Sequence, residues 1–262
     1  MNTTYLSDIK PFKMHGNIYF VGSTKVSVHL IDTECGLVLI DTGYPDMYEQ
    51  ILDSIAYLGY NPKNIVAIFH SHGHIDHFGC TNELKELTGA KTYISRIDNE
   101  IANGTLDLSW AKELNMDRIK PFDGDVLIDD GDVFTFGSTT IRCRLAPGHT
   151  EGTLAFFVTY EENGKKFTAA MHGGVGSNSM TSKFLNEYGL SFDCRDKFRE
   201  GLRNMKDENV DFVLGNHPQQ NKTEDKLRKI EAGESIIDKN EWKEFLIWAE
   251  GKLDEMIERE KF

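Results

Sequence analysis

Three histidines and an aspartate fall within six residues of one another, as His72, His74, Asp76 and His77, shortly after the apolar run Ile65–Phe69. These four side chains cannot converge on an extended strand, because a strand points alternate side chains to opposite faces. They can converge on a tight loop that leads into a helix. Imidazole and carboxylate are ligands that zinc accepts in catalytic sites, where one position stays open for water. The cluster therefore predicts a metal site at the carboxyl end of a buried strand.

The rest of the chain alternates short apolar runs with turn residues and amphipathic stretches. Runs of branched, aromatic and aliphatic residues bounded by Gly, Ser and Asp indicate strands. The predicted strands are Asn17–Gly22, Lys25–Asp32, Gly36–Asp41, Ile65–Phe69, Thr92–Ile94, Val133–Phe136, Thr139–Leu145, Thr153–Tyr160, Phe167–Met171 and Phe212–Leu214. Apolar residues at helical spacing indicate helices, which are Asp46–Leu58, Asn82–Leu87 and Arg195–Met205. Residues 96–120 read as mixed helix and loop.

The carboxyl end of the chain carries an apolar stripe at helical spacing, formed by Trp242, Phe245, Leu246, Ala249, Leu253, Met256 and Ile257. The stripe predicts an amphipathic C-terminal helix that packs on the core. Together with the strand pattern it predicts an α/β fold, an αββα sandwich. Two mixed β-sheets would pack face to face, with helices on both outer faces, in a single domain over residues 1–262.

Net charge and cysteine content limit which partners and which cellular compartment are expected for the protein. The net charge of −13 disfavours nucleic acid, because an acidic surface repels phosphate backbones. No stretch approaches the roughly 20 apolar residues that cross a bilayer, so no membrane partner is expected. The start of the sequence shows no signal-peptide pattern, and the four cysteines form no close pair, which favours free thiols in the cytoplasm. We expect a small-molecule substrate, and the sequence leaves the oligomeric state open.

The histidine cluster resembles the signature of the metallo-β-lactamase superfamily, and other segments extend the resemblance in family order. Gly36–Gly43 is similar to the family's strand and Asp-x-Gly turn, which supports the site from below. Ala146–Thr150 and Gly215–Pro218 resemble the segments that carry the later ligands. The opening Pro11–Gly22 is similar to the start of the third subclass of metallo-β-lactamases. The resemblance covers most of residues 11–220.

The resemblance implies the metallo-β-lactamase fold and two zinc ions per chain. The first zinc would be held by three histidines, which are His72, His74 and His149. The second would be held by an aspartate and two histidines, which are Asp76, His77 and His217. Asp76 would also orient the attacking hydroxide and is the predicted catalytic residue. The implied reaction is β-lactamase-like hydrolysis of a cyclic or activated acyl bond by metal-bound hydroxide.

At position 172 the sequence differs from several branches of the superfamily that it resembles. In glyoxalase-, phosphodiesterase- and lactonase-type members an aspartate that bridges both metals follows the strand that is Phe167–Met171 here. This chain has His172 and no acid nearby, as expected on the lactamase side. His172 is left open as an extra ligand, a donor behind the ligands, a substrate contact or a hydrogen-bonded strand end. The glycine- and serine-rich segment 173–179 predicts a loop beside the metals that shapes the substrate pocket.

The sequence also suggests roles for the remaining histidines and leaves other functions open. His70 reads as a core or supporting histidine, and His15 and His29 read as structural or surface residues. The alternatives within the fold are a lactonase or a thioester hydrolase. An iron-dependent oxidoreductase is disfavoured because such members use more carboxylate ligands, and a non-catalytic metal-binding member is disfavoured by the intact ligand motifs.

Overall fold

A computed structural model describes residues 8–116 and 119–261, and in these residues twelve strands form two sheets. The strands are β1 (Phe12–His15), β2 (Ile18–Phe20), β3 (His29–Thr33), β4 (Gly36–Ile40), β5 (Ile65–Phe69), β6 (Lys91–Ser95), β7 (Val126–Ile128), β8 (Val133–Phe136), β9 (Thr139–Leu145), β10 (Leu154–Glu162), β11 (Lys165–His172) and β12 (Phe212–Gly215). The first seven form one sheet in chain order, and the others form a second in the order β12-β11-β10-β9-β8. Both sheets are mixed. In the first sheet the strands from β1 to β4 are antiparallel and those from β4 to β7 are parallel, and in the second sheet only β11–β12 is a parallel pair.

Eight α-helices connect and cover the strands in the described residues. They are α1 (Tyr48–Tyr57), α2 (Ile75–Phe78), α3 (Thr81–Thr88), α4 (Asn99–Ala102), α5 (Ser182–Tyr188), α6 (Cys194–Met205), α7 (Thr223–Glu231) and α8 (Glu241–Arg259). Glycines with left-handed backbone follow two of them as the sequence pattern predicts, Gly59 after α1 and Gly89 after α3. None of the described helices is long and apolar enough to cross a membrane.

The seven-stranded sheet is apolar on both faces, and β4 shows why. Val38 and Ile40 point into the core between the sheets, whereas Leu37 and Leu39 point to the outer face. On that outer face they share a cluster with Ile51 of α1 and with Leu84 of α3. The period of two along the strand therefore places one row of side chains in each of two cores. Each fully buried side chain of this kind is worth about 1.5–3 kcal/mol.

The five-stranded sheet is covered in the same way on its other side. Phe156 of β10 faces the central core, and Phe157 faces outward. Phe157 meets the ring of Trp242 in α8 at a centroid distance of 5.7 Å, and Phe198 of α6 belongs to the same buried cluster. The predicted stripe of α8 packs here, with Met256 and Ile257 partly buried beyond it. The four layers confirm the predicted αββα sandwich.

One predicted strand is wrong in its extent. The sequence predicts a strand from Lys25, but β3 begins at His29. Ser23 closes a turn instead, since its amide donates to Val26 O and its hydroxyl oxygen accepts from the amides of Lys25 and Val26. Local turn bonding therefore outweighs the strand preference of this segment. All four cysteines are free thiols, as predicted.

Candidate metal centre

The loop between β5 and α2, together with the first turn of α2, carries four of the predicted ligands. His72 and His74 lie on the loop, and Asp76 and His77 lie in the first turn of α2, which begins at Ile75. All four side chains are buried, with at most 8% of any residue exposed. The chain thus leaves the strand and turns directly into a helix, which is the geometry predicted for side chains that must converge.

His149 joins His72 and His74 in a first group. One ligand nitrogen from each of the three lies within 4.8 Å of the other two, and the ring centroids are 4.6–4.7 Å apart. His149 follows β9 on a turn in which Gly148 has a φ of 144°. A Cβ on Gly148 would lie 2.5 Å from Cβ of Phe198, so this approach to α6 requires glycine. The three side chains are those predicted to hold the first metal.

Asp76 lies at the centre of a second group. Its Oδ2 atom is 3.4 Å from Nε2 of His77 and 3.6 Å from Nε2 of His217. One ligand atom each from His72, Asp76 and His77 also lie within 4.8 Å of one another. The structure therefore brings all six predicted ligands together, with His72 shared between the two groups. Which metal each of them holds stays a prediction.

Hydrogen bonds fix which nitrogen of each imidazole faces the centre. Nδ1 of His149 donates to Gly176 O at 2.7 Å, and Nδ1 of His217 donates to Lys25 O at 2.7 Å. Carbonyl oxygens only accept, so the proton must be on Nδ1 and the lone pair on Nε2. Nδ1 of His77 likewise donates, to a carboxylate, so its Nε2 faces the centre.

That carboxylate belongs to Asp41, in the turn predicted to support the site from below. Asp41 Oδ2 accepts from Nδ1 of His77 and from Oγ of Ser71, both at 2.8 Å, and Oδ1 accepts from the Ser71 amide at 2.7 Å. Because the Ser71 hydroxyl proton goes to Asp41, Nδ1 of His72 donates to Ser71 Oγ at 3.0 Å. Asp41 is fully buried with a φ of 63°, an uncommon value for a non-glycine residue. One carboxylate therefore orients both His72 and His77.

Two inward-facing nitrogens lack any hydrogen-bond partner. Nε2 of His72 and Nε2 of His77 are buried and unpaired in the described structure. Buried polar atoms almost always have a partner, and each unmade bond costs roughly 1–3 kcal/mol. A metal ion would give both nitrogens a partner beside the carboxylate of Asp76, with His77 giving up its Nε2 proton on binding.

The electrostatics of the cluster keep most of its imidazoles neutral. Burial and the neighbouring histidines hold the pKa values of His72 and His74 well below their ordinary value. Burial likewise lowers the pKa of His149 to about 4. His77 is the exception: burial lowers its pKa, but the carboxylates of Asp76 and Asp41 outweigh burial and raise it to about 10. Without metal, the cluster therefore holds one imidazolium between two carboxylates.

Asp98 supports the site but was not predicted from the sequence. Its fully buried carboxylate accepts from the Gly73 amide at 2.8 Å, the Thr150 hydroxyl at 2.6 Å and the Gly152 amide at 2.8 Å. Gly73 lies between His72 and His74, so Asp98 joins the first ligand loop to the segment that follows His149. Burial, opposed by these three bonds, raises the pKa of Asp98 to about 6. The side chain remains mainly ionised at pH 7.

His172 lies behind the ligands rather than in either ligand group. It is buried, the Gly174 amide donates to its Nδ1 at 3.3 Å, and its ring faces Phe198 at 5.9 Å. A Cβ on Gly174 would lie 2.6 Å from Cδ2 of His149. His172 is thus bonded to a turn that packs against a ligand. Of the alternative roles that the sequence left open for His172, this geometry fits a hydrogen-bonded histidine at a strand end that supports a ligand.

The remaining histidines are structural, as predicted. His70 is buried, with Nδ1 3.0 Å from Tyr93 O and Nε2 2.8 Å from the Thr81 hydroxyl. His29 is buried with Nε2 2.9 Å from Gly215 O. His15 pairs its Nδ1 with the Tyr160 hydroxyl at 2.7 Å, on the far side of the core.

The metal cluster opens into a cleft of about 260 Å³. Tyr44, Trp110 and Asn216 line it together with four of the ligand side chains. The predicted loop 173–179 contributes Gly176 and Asn178 to the wall. The segment thus lies beside the cluster as predicted and ends in a short 3₁₀ turn from Asn178, and its role in shaping a substrate pocket stays a prediction.

The fold and the site together define a metal-binding protein of the αββα class. Residues 21–163, more than half of the chain, match the family model of the metallo-beta-lactamase superfamily. The chain therefore belongs to that superfamily, most of whose members are hydrolases.

Known proteins resemble the chain over different extents. An uncharacterized protein of Aquifex aeolicus is 30% identical over 142 residues, which cover 53% of this chain and 62% of that protein. Hydroxyacylglutathione hydrolase of Gloeobacter violaceus is 32% identical over 108 residues, covering 40% of this chain and 34% of that enzyme. The chain thus spans less than two thirds of the length of these relatives.

A solved structure matches over nearly the whole length. BJP-1, a subclass B3 metallo-beta-lactamase of Bradyrhizobium japonicum, superposes with a TM-score of 0.88 at 24% identity, covering 99% of this chain and 97% of that one. At this identity the likeness establishes the fold. The resemblance to the third subclass is confirmed at that level.

Proposed function

We propose that this protein is a zinc-dependent hydrolase that opens a cyclic or activated acyl bond of a small molecule, with β-lactams among the compounds it hydrolyses. The observation that carries the proposal is the buried cluster of histidines around Asp76, with unpaired Nε2 atoms on His72 and His77. Two zinc ions per chain account for the number of ligand side chains. The family match supports a hydrolytic use of the site.

The proposed roles of the residues follow from their positions. The first zinc would be held by His72, His74 and His149, and the second by Asp76, His77 and His217. Zinc held by these residues would supply Lewis-acid polarisation of the substrate carbonyl and a water of near-neutral pKa, so that no side-chain nucleophile would be required. Asp76 would help to hold a metal and would accept a hydrogen bond from the attacking water, which would orient the water toward the carbonyl carbon.

Two further side chains in the cleft are suited to bind the substrate. Burial and the nearby Asp76 raise the pKa of Tyr44 to about 12, so its hydroxyl is a donor at neutral pH. Asn216 donates to Gly173 O at 2.7 Å, which leaves its buried Oδ1 as an acceptor without a partner in the described structure. The Tyr44 hydroxyl can donate to the carbonyl oxygen of an amide, ester or lactam, and the Asn216 oxygen can accept from a substrate that carries an N–H or O–H group.

The ligand set favours acyl substrates over phosphodiesters. β11 ends at His172, in the position where phosphodiesterase-like members carry a bridging carboxylate, so Asp76 is the one carboxylate among the six proposed ligands. Fewer negative ligands leave the metals more electrophilic, which suits the polarisation of a neutral carbonyl. The same scarcity of carboxylates argues against the iron-dependent alternative.

Thioester hydrolysis is the second candidate. Hydroxyacylglutathione hydrolase of Gloeobacter violaceus, which is similar over 108 residues, is named for hydrolysis of such a bond. A thioester is an activated acyl bond, so the same residues would serve in the same roles. The two candidates differ in the leaving group and are separated by substrate choice.

A substrate panel tests the proposal. Zinc-loaded protein would be assayed with nitrocefin, a lactone, a thioester and bis-p-nitrophenyl phosphate, beside chelator-treated protein. We expect zinc-dependent turnover of the acyl substrates, lost in Asp76→Asn and retained in the control Asp53→Asn, at an exposed site on α1. Faster turnover of the phosphodiester than of all acyl substrates would contradict the proposal. Turnover of none of them with both metals bound would favour a specialised substrate or a non-catalytic role.

A further inference from the structure

A second cavity, of about 230 Å³, adjoins the metal cleft and shares the side chains of His74 and His149 with it. Two segments of the chain form most of its wall, residues 97–108 around α4 and residues 184–194 from α5 to the start of α6. The cavity therefore begins at the first ligand group and extends away from the second. We call it the apolar pocket.

The wall of this pocket is dominated by hydrocarbon. Ile101 and Phe184 are buried at 6% and 8% exposure and form its deeper part. Ile97 and Leu106 stand at 43% and 42% exposure on the same wall. Large apolar side chains left exposed together beside a cavity mark a surface that binds apolar groups. Leu190 is half-buried on the opposite segment.

Trp110 connects the pocket to the metals. Its ring lies 5.4 Å from the ring of His74 and 4.8 Å from the ring of Phe184. Trp110 also has a φ of 66°, which is rare for a bulky residue and persists only where the surroundings impose it. The indole therefore lies between the ligand cluster and the apolar wall. A substrate that extended from the ligand cluster into the apolar pocket would pass beside it.

The charges on the wall disfavour an anionic occupant. Among the described lining residues the acidic ones are Asp98 and Glu151, and none is a lysine or arginine. Asp98 is engaged by its three hydrogen bonds, and Glu151 pairs with Lys197 at 3.0 Å. A neutral apolar group meets no unpaired charge there.

The volume sets the scale of the occupant. Pockets that enclose a whole drug-sized ligand measure roughly 300–1,000 Å³, so about 230 Å³ suits one substituent of a larger molecule. We propose that the apolar pocket binds an alkyl or aryl substituent next to the scissile carbonyl, so that the substrates are neutral acyl compounds with an apolar acyl group. This inference rests on the proposed hydrolytic function.

A chain-length series measures the pocket directly. Zinc-loaded protein would be assayed with p-nitrophenyl esters from acetyl to octanoyl. Each methylene that enters an apolar pocket is worth about 0.8 kcal/mol, so kcat/KM is expected to rise about fourfold per methylene until the pocket is full. A series that is flat, or that falls with length, would overturn the inference while leaving acyl hydrolysis established.

Two variants test whether this pocket causes the preference. Leu190→Trp fills it, and Leu106→Asp places a carboxylate at its exposed edge. Both are expected to reduce the octanoyl-to-acetyl ratio of kcat/KM at least about tenfold. Ile247→Asp is the matched control for Leu106→Asp, since Ile247 is 59% exposed on α8 and lines neither cavity. An unchanged ratio in a folded variant would contradict the assignment.

Binding of 1-octanol, followed by calorimetry, separates this inference from the proposed function because it needs no turnover. We expect 1-octanol to bind more tightly than 1-butanol, and Leu106→Asp to weaken that binding relative to Ile247→Asp. If this holds but no ester is hydrolysed, the pocket stands and the hydrolytic proposal fails. If esters are hydrolysed but 1-octanol does not bind, or binds equally to both variants, the pocket assignment is wrong.

Discussion

Replacing Asp98 with asparagine tests whether the two ligand-bearing loops depend on one buried carboxylate. Asp98 Oδ2 accepts from the Gly73 amide and the Thr150 hydroxyl, and Oδ1 accepts from the Gly152 amide. Asparagine keeps one oxygen and places an NH₂ group against a donor on the other side. At least one buried N–H then loses its acceptor, at a cost of about 1–3 kcal/mol. The Thr150 hydroxyl has an alternative partner in Thr153, 2.7 Å away, and adds little.

The expected result is a loss of stability together with a loss of metal affinity. Urea unfolding of metal-free Asp98→Asn should give a free energy of unfolding about 1–3 kcal/mol below that of the unsubstituted protein. Competition with a chromogenic chelator should show zinc binding weakened roughly 10- to 100-fold, as for other residues that orient ligands. Asp53→Asn, at an exposed site on α1, is the control. Unchanged zinc affinity in Asp98→Asn would refute the reasoning that Asp98 positions the ligand loops.

Three further properties of the cluster are measurable. Asp76→Asn should lower turnover at least about 100-fold with far-UV circular dichroism unchanged, because losing a ligand exceeds losing a ligand's support; near-normal turnover would make Asp76 structural. Zinc uptake at pH 7 should release no more than two protons, one from His77 and up to one from water, because burial keeps the other imidazoles neutral. Calorimetry in buffers of different ionisation enthalpy measures the number of protons released, and a value of four or more would contradict this prediction. The destabilisation by Asp98→Asn should grow from pH 7 to 4.5. Because the pKa of Asp98 is raised to about 6 in the folded state, proton uptake below that pH stabilises the folded unsubstituted protein and has no counterpart in the variant. Urea midpoints of the two proteins that converge on acidification would contradict this prediction.

The ligand set was predictable because its members lie in short segments with a distinctive composition. Four ligands fall within six residues, and His149 and His217 stand beside Gly and Pro in segments similar to those of one family. Ten of the twelve described strands were predictable for a different reason, whereas β1 and β7 were not predicted. Strands such as β10 alternate apolar rows so regularly that Phe156 and Phe157 enter different cores, and that periodicity is visible in the sequence.

Elements with only a short apolar pattern were not predicted. α7 has the sequence TEDKLRKIE, in which Leu227 and Ile230 are partly buried against the central core and the fully buried residues are Thr223 and Lys226. Its placement therefore depends on polar contacts as well as apolar ones. Lys226 donates to Val213 O and pairs with Glu241 in α8, at 2.6 and 2.5 Å. These partners lie 13 and 15 residues away along the chain, beyond the reach of local patterns.

α5 shows that local signals were also missed. Thr181 caps it by accepting from the Phe184 amide at 3.3 Å, and Gly189 ends it in the left-handed conformation. A threonine before the helix and a glycine after it are ordinary boundary signals. Asp98 carries no such signal, because its role depends on donors 25 and 54 residues distant that meet only in the folded chain.

Titration of metal-free protein with zinc, while hydrolysis of an activated ester is recorded, tests the central claim most directly. The account predicts no hydrolysis above the chelator control without metal and a maximum at two zinc ions per chain, the stoichiometry confirmed by elemental analysis. The two ions are expected roughly 3.5–4 Å apart, as in other two-metal hydrolytic sites. Full hydrolysis by the metal-free protein, or zinc loading that stops at one ion per chain, would contradict it.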